Sequence, residues 1–266
     1  MDIREYTKKD IPDLIKLWVD VFSDKEEFVE AFYAMLPDMG SCVVGCEDGK
    51  IIAMASVIAG QELQKGTSQA ENVVGYIYAV AVDKAFRGKG HGKEIVKAAY
   101  DLAIGREAEI VATMPSDDSL IPFYEETLGF ETVLFRSKNE VEASDDEMTM
   151  KLTATEYNIM RESILSGKNF LRLSYFAMDF LKTLEQSYGG GLYASMSGIC
   201  TAQKDSDTCI IHEMLSQNEK ATAASVAYAL DCSKAVYYLA SIKGENFIMA
   251  KKGKIPQDTL WNIAYE

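Results

Sequence analysis

Histidine and cysteine are scarce in this sequence. Its 266 residues include two histidines and five cysteines. The cysteines are odd in number and scattered, without the paired spacing of a zinc site or the density of a secreted disulfide scaffold, so we expect reduced and mostly buried thiols. Two histidines supply almost no ligands for a histidine-based metal centre, and we predict no metal cofactor.

Long apolar runs are also missing. No run approaches the roughly 18 residues of a membrane span. The N-terminal segment MDIREYTKKD lacks the apolar stretch of a signal peptide. These absences predict a soluble, cytoplasmic protein that does not associate with membranes.

Basic residues are fewer than acidic residues, and the difference is confined to the first part of the chain. The net charge is −14; residues 1–150 hold 15 Lys and Arg against 29 Asp and Glu, whereas residues 151–266 hold 12 of each class. Such an acidic surface argues against nucleic acid as a partner and favours a cationic small molecule or peptide. Solubility explains the same excess equally well.

The spacing of apolar residues predicts a mixed α/β (α+β) domain over residues 1–152. A short strand at residues 2–6 precedes the helical run IPDLIKLWVDVF, and a second helical run, DKEEFVEAFYAML, ends before Pro37. CVVGCEDGKIIAMASVIAG predicts a hairpin with its turn at residues 47–50. NVVGYIYAVAV predicts a strand that leads into DKAFRGKGHG. The predicted order is β-α-α-β-β-β-α-β-α-β-β.

A glycine-rich loop lies between that strand and the next helix. Glycines at 88, 90 and 92 leave backbone N–H groups free and permit close approach of a ligand to the main chain. Five basic residues crowd the loop against the single acid Glu94: Lys84, Arg87, Lys89, Lys93 and Lys97. The pattern predicts a phosphate cradle at a helix N-terminus. Its spacing is that of neither a Walker loop nor a Rossmann fingerprint.

Two motifs carry a resemblance to a known family. The strand YIYAVAV followed by Arg87-x-x-Gly90-x-Gly92 resembles motif A of the GNAT superfamily of acyl-CoA N-acyltransferases, and IPFYEETLGFE resembles motif B. The resemblance spans about residues 1–150. It implies a GNAT fold, with a mixed central sheet flanked by helices. It also implies an acetyltransferase that uses acetyl-CoA as co-substrate and acetylates a primary amine of a small molecule or peptide by direct attack.

The resemblance also implies roles for particular residues. The loop amides would bind the coenzyme A pyrophosphate, and the strand end would pair with the pantetheine arm. An amide at or near Val80 would act as oxyanion donor to the thioester. The loop residues are Arg87, Gly88, Lys89, Gly90, His91, Gly92 and Lys93, and the strand residues are Val80, Ala81 and Val82.

The proton-transfer groups are less determined by the motifs. Tyr124 stands where the family often places a general acid that reprotonates the thiolate; otherwise it is an amphipathic core tyrosine. Tyr76 occupies the position at which many members carry a glutamate base. Glu71 is a further candidate, and Tyr78 or a relayed water stays open as an alternative. Asp117 stands where the family often has asparagine near the pantetheine arm.

The last third of the chain predicts a helical connector over residues 153–187 and a smaller, degenerate GNAT-like half domain over residues 188–266. Its strand-to-helix turn at residues 216–219 has no glycine or arginine, which predicts that no phosphate cradle survives there. This half either shapes an acceptor pocket or serves as a stabilising or dimerising extension; a homodimer is left open. Two other functions remain as alternatives: a non-catalytic acyl-CoA-binding regulator, and an aminoacyl or peptidoglycan-precursor transferase of tandem-GNAT type.

Overall fold

The computed structural model of the chain describes residues 1–67, 71–263 and 265. The chain forms two compact units, and parts of each unit alternate along the sequence. Unit 1 contains Met1–Leu63, Glu71–Val133 and Ile248–Ile255. Unit 2 contains Gln64–Ala70, Leu134–Phe247 and Pro256–Glu266.

The elements are numbered in chain order. The helices are α1 (Ile11–Phe22), α2 (Glu26–Met39), α3 (His91–Gly105), α4 (Ile121–Leu128), α5 (Ala154–Leu165), α6 (Tyr175–Ser187) and α7 (Glu219–Ala229). The strands are β1 (Asp2–Glu5), β2 (Gly40–Glu47), β3 (Lys50–Gln64), β4 (Glu71–Val82), β5 (Ile110–Thr113), β6 (Glu131–Glu142), β7 (Met150–Leu152), β8 (Phe170–Leu173), β9 (Gly191–Ala194), β10 (Gly198–Asp205), β11 (Thr208–Ser216), β12 (Lys234–Ser241) and β13 (Glu245–Ala250).

Unit 1 is built on a mixed sheet in the order β1-β2-β3-β4-β5-β13. β1, β2 and β3 are antiparallel, β4 and β5 are parallel, and the end of β13 is antiparallel to β5. Adjacent residues of β4 face opposite sides of the sheet: Ile77 packs in a cluster with Ile95 of α3, and Tyr78 contacts Trp18 of α1 and Phe32 of α2. Helices therefore cover both faces, which confirms the predicted architecture.

Local sequence determines several of these elements directly. Leu14, Leu17 and Trp18 are buried along one stripe of α1. The β2–β3 hairpin has Glu47 paired with Lys50, and Asp48 and Gly49 take positive φ values of 51° and 80°. Two such residues match the twist of the flanking strands, so the hairpin predicted from the sequence is confirmed.

The strands of unit 2 pair in the order β6-β12-β11-β10-β9-β7. β11 and β12 are parallel, and the other pairs are antiparallel. Val226 and Ala227 of α7 pack against Cys209 and Ile211 of β11 in one hydrophobic cluster. The order of strand, strand, helix and parallel strand repeats that of unit 1.

Two element boundaries differ from the sequence prediction. α2 does not end before Pro37 but continues to Met39. Pro37 removes one hydrogen bond from the last turn, and the burial of Leu36 and Met39 offsets this loss. Residues 170–173 form strand β8 rather than the start of a helix. α6 begins after Ser174, whose hydroxyl accepts a hydrogen bond from the amide of Ala177.

Candidate active site

The glycine loop joins β4 to α3 in unit 1 and is held at its first residues. The Asp83 carboxylate accepts from the amide of Ala85 at 2.9 Å, and the Arg87 guanidinium donates to the carbonyl of Val82 at 3.0 Å. Gly88 and Gly90 have φ values of +79° and +90°, which residues with a Cβ rarely adopt. The two glycines are therefore required by the path of the backbone.

The turn leaves a row of backbone donors without acceptors. Gly90 is the N-cap of α3, and no side chain there accepts from the first amides of the helix. The carbonyl of Gly90 accepts from the amides of Lys93 at 3.0 Å and Glu94 at 3.2 Å. Among the described residues, no oxygen accepts from the amides of Gly88 to Gly92. A Cβ on Gly92 would meet the Phe123 ring at an ordinary 3.6 Å. Together with the helix dipole, these amides form an anion site open to a ligand.

Basic side chains surround the loop, as the sequence predicts, but several are already engaged. Lys89 lies 5.0 Å over the ring of Phe86, and Lys93 pairs with Glu126 at 2.9 Å. The His91 ring lies 3.5 Å from both Glu47 and Glu94, and its side chain is 11% exposed. His91 thus contributes its backbone amide to the row, while its imidazole faces two carboxylates.

The parallel strands β4 and β5 diverge next to this loop. Their pairing ends at Tyr76 and Ala112, whereas β4 continues to Val82. At the point of divergence the Thr113 hydroxyl donates to the carbonyl of Ile77 at 3.0 Å. In the described part of the chain, no strand pairs with the edge of β4 that faces β5 beyond this bond. The unpaired edge includes Val80, Ala81 and Val82.

A backbone irregularity lies within this edge. Ala79 has a φ of +50°, a left-handed conformation that is uncommon for a residue with a Cβ. Ile77 faces the α3 side of the sheet before Ala79, and Val80 and Val82 face the same side after it. The alternation therefore advances by three residues instead of two, as at a β-bulge. The sequence analysis identifies neither Ala79 nor Thr113 as part of the site.

Tyr124 lies in α4, close to the divergence of the strands. Its side chain is 5% exposed, and its ring contacts that of Phe123 at 5.1 Å. Burial raises the pKa of the Tyr124 phenol, and a hydrogen bond with the Thr113 side chain opposes the rise. Thr113 thus connects Tyr124 to the end of the paired part of β4, and the phenol is held in its protonated form.

The other sequence candidates fall in different environments. Tyr76 is buried, 2% exposed, at the last paired position of β4. Tyr78 packs between Trp18 and Phe32, at ring distances of 5.6 and 5.7 Å. Glu71 begins β4, and its side chain lies outside the described residues.

Asp117 has a local structural role. Its carboxylate accepts from the amide of Ser119 at 2.8 Å and also bonds the Ser119 hydroxyl, and these hydrogen bonds lower the pKa of Asp117. It begins the single turn that leads into α4. In the described residues, no three His, Cys, Asp or Glu side chains group as a metal site would require, and no helix is long and apolar enough to cross a membrane.

Comparisons with known proteins bear on the fold and the family. Solved structures similar in fold include a conserved Enterococcus faecalis V583 protein of unknown function (14% identity, TM-score 0.68, 94% of this chain and 72% of that one). A GCN5-related N-acetyltransferase from Kribbella flavida is also similar (14% identity, TM-score 0.66, 94% of this chain and 70% of that one). So is one from Anabaena variabilis (13% identity, TM-score 0.64, 94% of this chain and 72% of that one). A comparison with curated protein sequences finds no match. The model of the acetyltransferase (GNAT) family matches residues 9–130, so this part of the chain is a domain of the GNAT acetyltransferase family.

Proposed function

We propose that unit 1 transfers the acetyl group of acetyl-CoA, its co-substrate, to a primary amine of a small molecule or peptide. The observation that carries this proposal is the row of unbonded amides from Gly88 to Gly92 at the start of α3. A pyrophosphate needs several N–H donors and a positive potential, and a glycine turn at a helix N-terminus supplies both. Arg87, Lys89 and Lys93 add positive charge to a domain that is otherwise acidic.

The diverging strands suit the remainder of the cofactor. An amide-containing chain such as pantetheine can pair with an exposed strand edge in the manner of an added strand, and β4 offers that edge at Val80, Ala81 and Val82. The left-handed residue at Ala79 turns the strand immediately before them. We assign the amide of Val80 as the donor to the thioester oxygen, whose negative charge grows during attack.

The proposed reaction is direct acyl transfer. The neutral amine forms a bond to the thioester carbon, the carbon–sulfur bond breaks, and the thiolate leaves. Tyr124 then donates its phenolic proton to sulfur, because its raised pKa keeps it protonated. Before attack, the ammonium form of the acceptor loses one proton to Glu71, Tyr76, Tyr78 or a relayed water. The nitrogen loses a second proton as the amide forms, and this proton restores the Tyr124 phenol.

Charge and thiol chemistry bear on the acceptor and the compartment. The acid excess in residues 1–150 favours a cationic acceptor over an anionic one. Every cysteine of the chain is free, which suits a reducing cytoplasm. The alternative of a homodimer predicts a sedimenting species of about twice the chain mass.

A thermal-shift and calorimetric titration with acetyl-CoA tests the cofactor site, because a ligand that binds only the native state raises its stability. We expect saturable binding by the wild type and its loss in Gly92→Glu. This variant places a carboxylate among the donors, and Gly92 has neither a positive φ nor a close neighbour to strain it. Gly105→Glu is the matched control, since it adds the same charge to the exposed end of the same helix, about 20 Å away.

Equal binding to wild type and Gly92→Glu would remove the basis of the proposal, as would absence of binding by the wild type. Release of free thiol in the presence of a panel of amines separates an enzyme from an acyl-CoA-binding regulator. Saturable binding with no thiol release from any amine would favour the regulator.

A further inference from the structure

Unit 2 contains a cleft of its own, formed by the same kind of strand divergence. Pairing of the parallel strands β11 and β12 ends at Ile211 and Tyr237, whereas β11 continues to Ser216 and β12 to Ser241. The outer edge of each strand is paired along its length, with β10 and β6 respectively. Within the described part of unit 2, the two inner edges beyond the divergence have no strand partner.

A cavity of about 610 Å³ opens at this divergence, a volume in the range of small-molecule sites. Its walls combine apolar side chains with a few polar ones. The apolar residues include Met214, Leu215, Leu239 and Leu260. An amide-containing ligand lying between the strands could pair with the free backbone edges while its side chains contact these residues.

The turn at the mouth of this cleft differs from the turn in unit 1. The Asn218 side chain accepts from the amide of Ala221 at 3.3 Å, and the Ser216 hydroxyl accepts from the amide of Asn218 at 3.0 Å. Gln217 donates its amide to the carbonyl of Ser197 at 3.0 Å. Glu219, the first residue of α7, brings negative charge to the position where a phosphate would lie. The cleft is therefore unsuited to a pyrophosphate.

Three side chains that line the cavity have no partner among the described residues. Asn262 is 7% exposed, and no described group hydrogen bonds to its amide. Lys168, which is exposed, and Glu219, which is half-buried, line the same cavity, and neither forms an ion pair with another described residue. The polar atoms of the Asn262 amide are accessible from the cavity, where a ligand can hydrogen bond to them. One cation, one anion and one amide around an apolar cavity complement a ligand that carries both an ammonium and a carboxylate.

We propose that the cleft between β11 and β12 is a binding site for a short peptide with free termini. Glu219 receives the ammonium, Lys168 receives the carboxylate, and the Asn262 amide bonds to a peptide group. The free strand edges bond to the remaining backbone, and the apolar wall accepts the side chains. This site is separate from the glycine loop and does not depend on the function proposed for unit 1.

Leucyl-leucine is a suitable probe, because it has both charges, one peptide bond and an apolar body. We expect saturable binding to the full chain by calorimetry. Kd should rise about tenfold in Glu219→Gln and in Lys168→Gln, about 1.4 kcal/mol each. Glu26→Gln is the matched control: Glu26 is likewise the first residue of an exposed helix start, in unit 1, and its loss should leave Kd unchanged. Asn262→Leu, of similar volume, should weaken binding while the chain remains folded.

N-acetyl-leucyl-leucinamide, which lacks both charges, should bind at least tenfold more weakly than the free dipeptide. Gly92→Glu should bind leucyl-leucine like the wild type, which separates this site from the one proposed in unit 1. The proposal is wrong if leucyl-leucine does not bind at millimolar concentration, or if the blocked analogue binds equally well. It is also wrong if pantetheine binds more tightly than the dipeptide and loses affinity in Asn262→Leu, since the cleft would then hold a neutral amide chain.

Discussion

In both units a pair of parallel strands diverges, and the units differ at the turn beside this divergence. β4 and β5 diverge after Tyr76 and Ala112, and β11 and β12 diverge after Ile211 and Tyr237. In β4 and in β11, the alternation of side chains between the two faces of the sheet is interrupted near this point. In β4, Ile77 and Val80 face the same side although they are three residues apart. In β11, Ile211 and Met214 are also three residues apart and share one cluster, whereas their partners in β10 are two residues apart. The sheet thus creates the opening, and the turn determines the charge that the opening accepts.

A second contrast lies on the face opposite the α3 or α7 helix. In unit 1 this face is an aromatic cluster around Trp18, whose ring lies 4.8 Å from that of Phe32. In unit 2 it contains a buried ion pair between Arg161, 0% exposed, and Glu213, 1% exposed. Glu213 also accepts from the Tyr157 hydroxyl at 2.9 Å. One unit therefore relies on apolar packing where the other relies on a charge network.

Breaking this network should give the largest effect. Arg161→Met leaves the Glu213 carboxylate buried without its guanidinium partner, which lies 2.9 Å away in the wild type. Uncompensated buried charge costs about 3–5 kcal/mol, so we expect a fall of that size in the free energy of unfolding, measured with urea.

The double variant Arg161→Met/Glu213→Leu serves as the control. It removes both charges, so it should be more stable than Arg161→Met alone, with a favourable coupling energy in the mutant cycle. The two charges would act independently if adding Glu213→Leu to Arg161→Met lowered the free energy of unfolding by as much as Glu213→Leu alone lowers it in the wild type. The contrast between the units would then lose its physical basis.

The next prediction concerns the proton donor of unit 1 and rests on the proposed function. Tyr124→Phe removes the phenol while keeping the buried ring, so kcat should fall about 100-fold, the lower end for loss of a general acid. The raised pKa of Tyr124 keeps the phenol protonated below pH 10. The ratio of wild-type to variant kcat should therefore stay constant from pH 7 to 9. A ratio that falls toward 1 in this interval would mean that Tyr124 loses its proton there and is not the donor.

The fold and the conformation of the glycine loop were largely predictable from the sequence, because they depend on local patterns. Alternating apolar residues predict the strands, and glycines at 88 and 90 predict a backbone that only glycine adopts readily. The cleft of unit 2 was not predictable in this way. Lys168, Glu219 and Asn262 come from distant segments, and only the tertiary structure brings them to one cavity.

The strand irregularity of unit 1 allows a smaller test. Ala79→Val puts a β-branched side chain into the left-handed region, and we expect a loss of about 2 kcal/mol in the free energy of unfolding. Ala79→Gly accepts the same backbone without that strain and should lie within about 1 kcal/mol of the wild type. Equal losses from both variants, measured by urea unfolding, would show that the methyl group of Ala79 matters rather than its backbone conformation.

The smallest expected effect addresses the turn that distinguishes the two clefts. Asn218→Ala removes the side-chain cap of α7 and should cost about 1 kcal/mol of unfolding free energy, whereas Asn218→Asp keeps an acceptor and should cost less. Because Asn218→Ala frees the Ala221 amide, it removes one of the features that make the α7 turn unlike the α3 turn. It should nevertheless not create acetyl-CoA binding in a Gly92→Glu background, since Glu219 still repels phosphate and no glycine opens the turn. Binding gained by that double variant, measured by calorimetry, would mean that the cap alone separates the two turns and that the charge at Glu219 is unimportant.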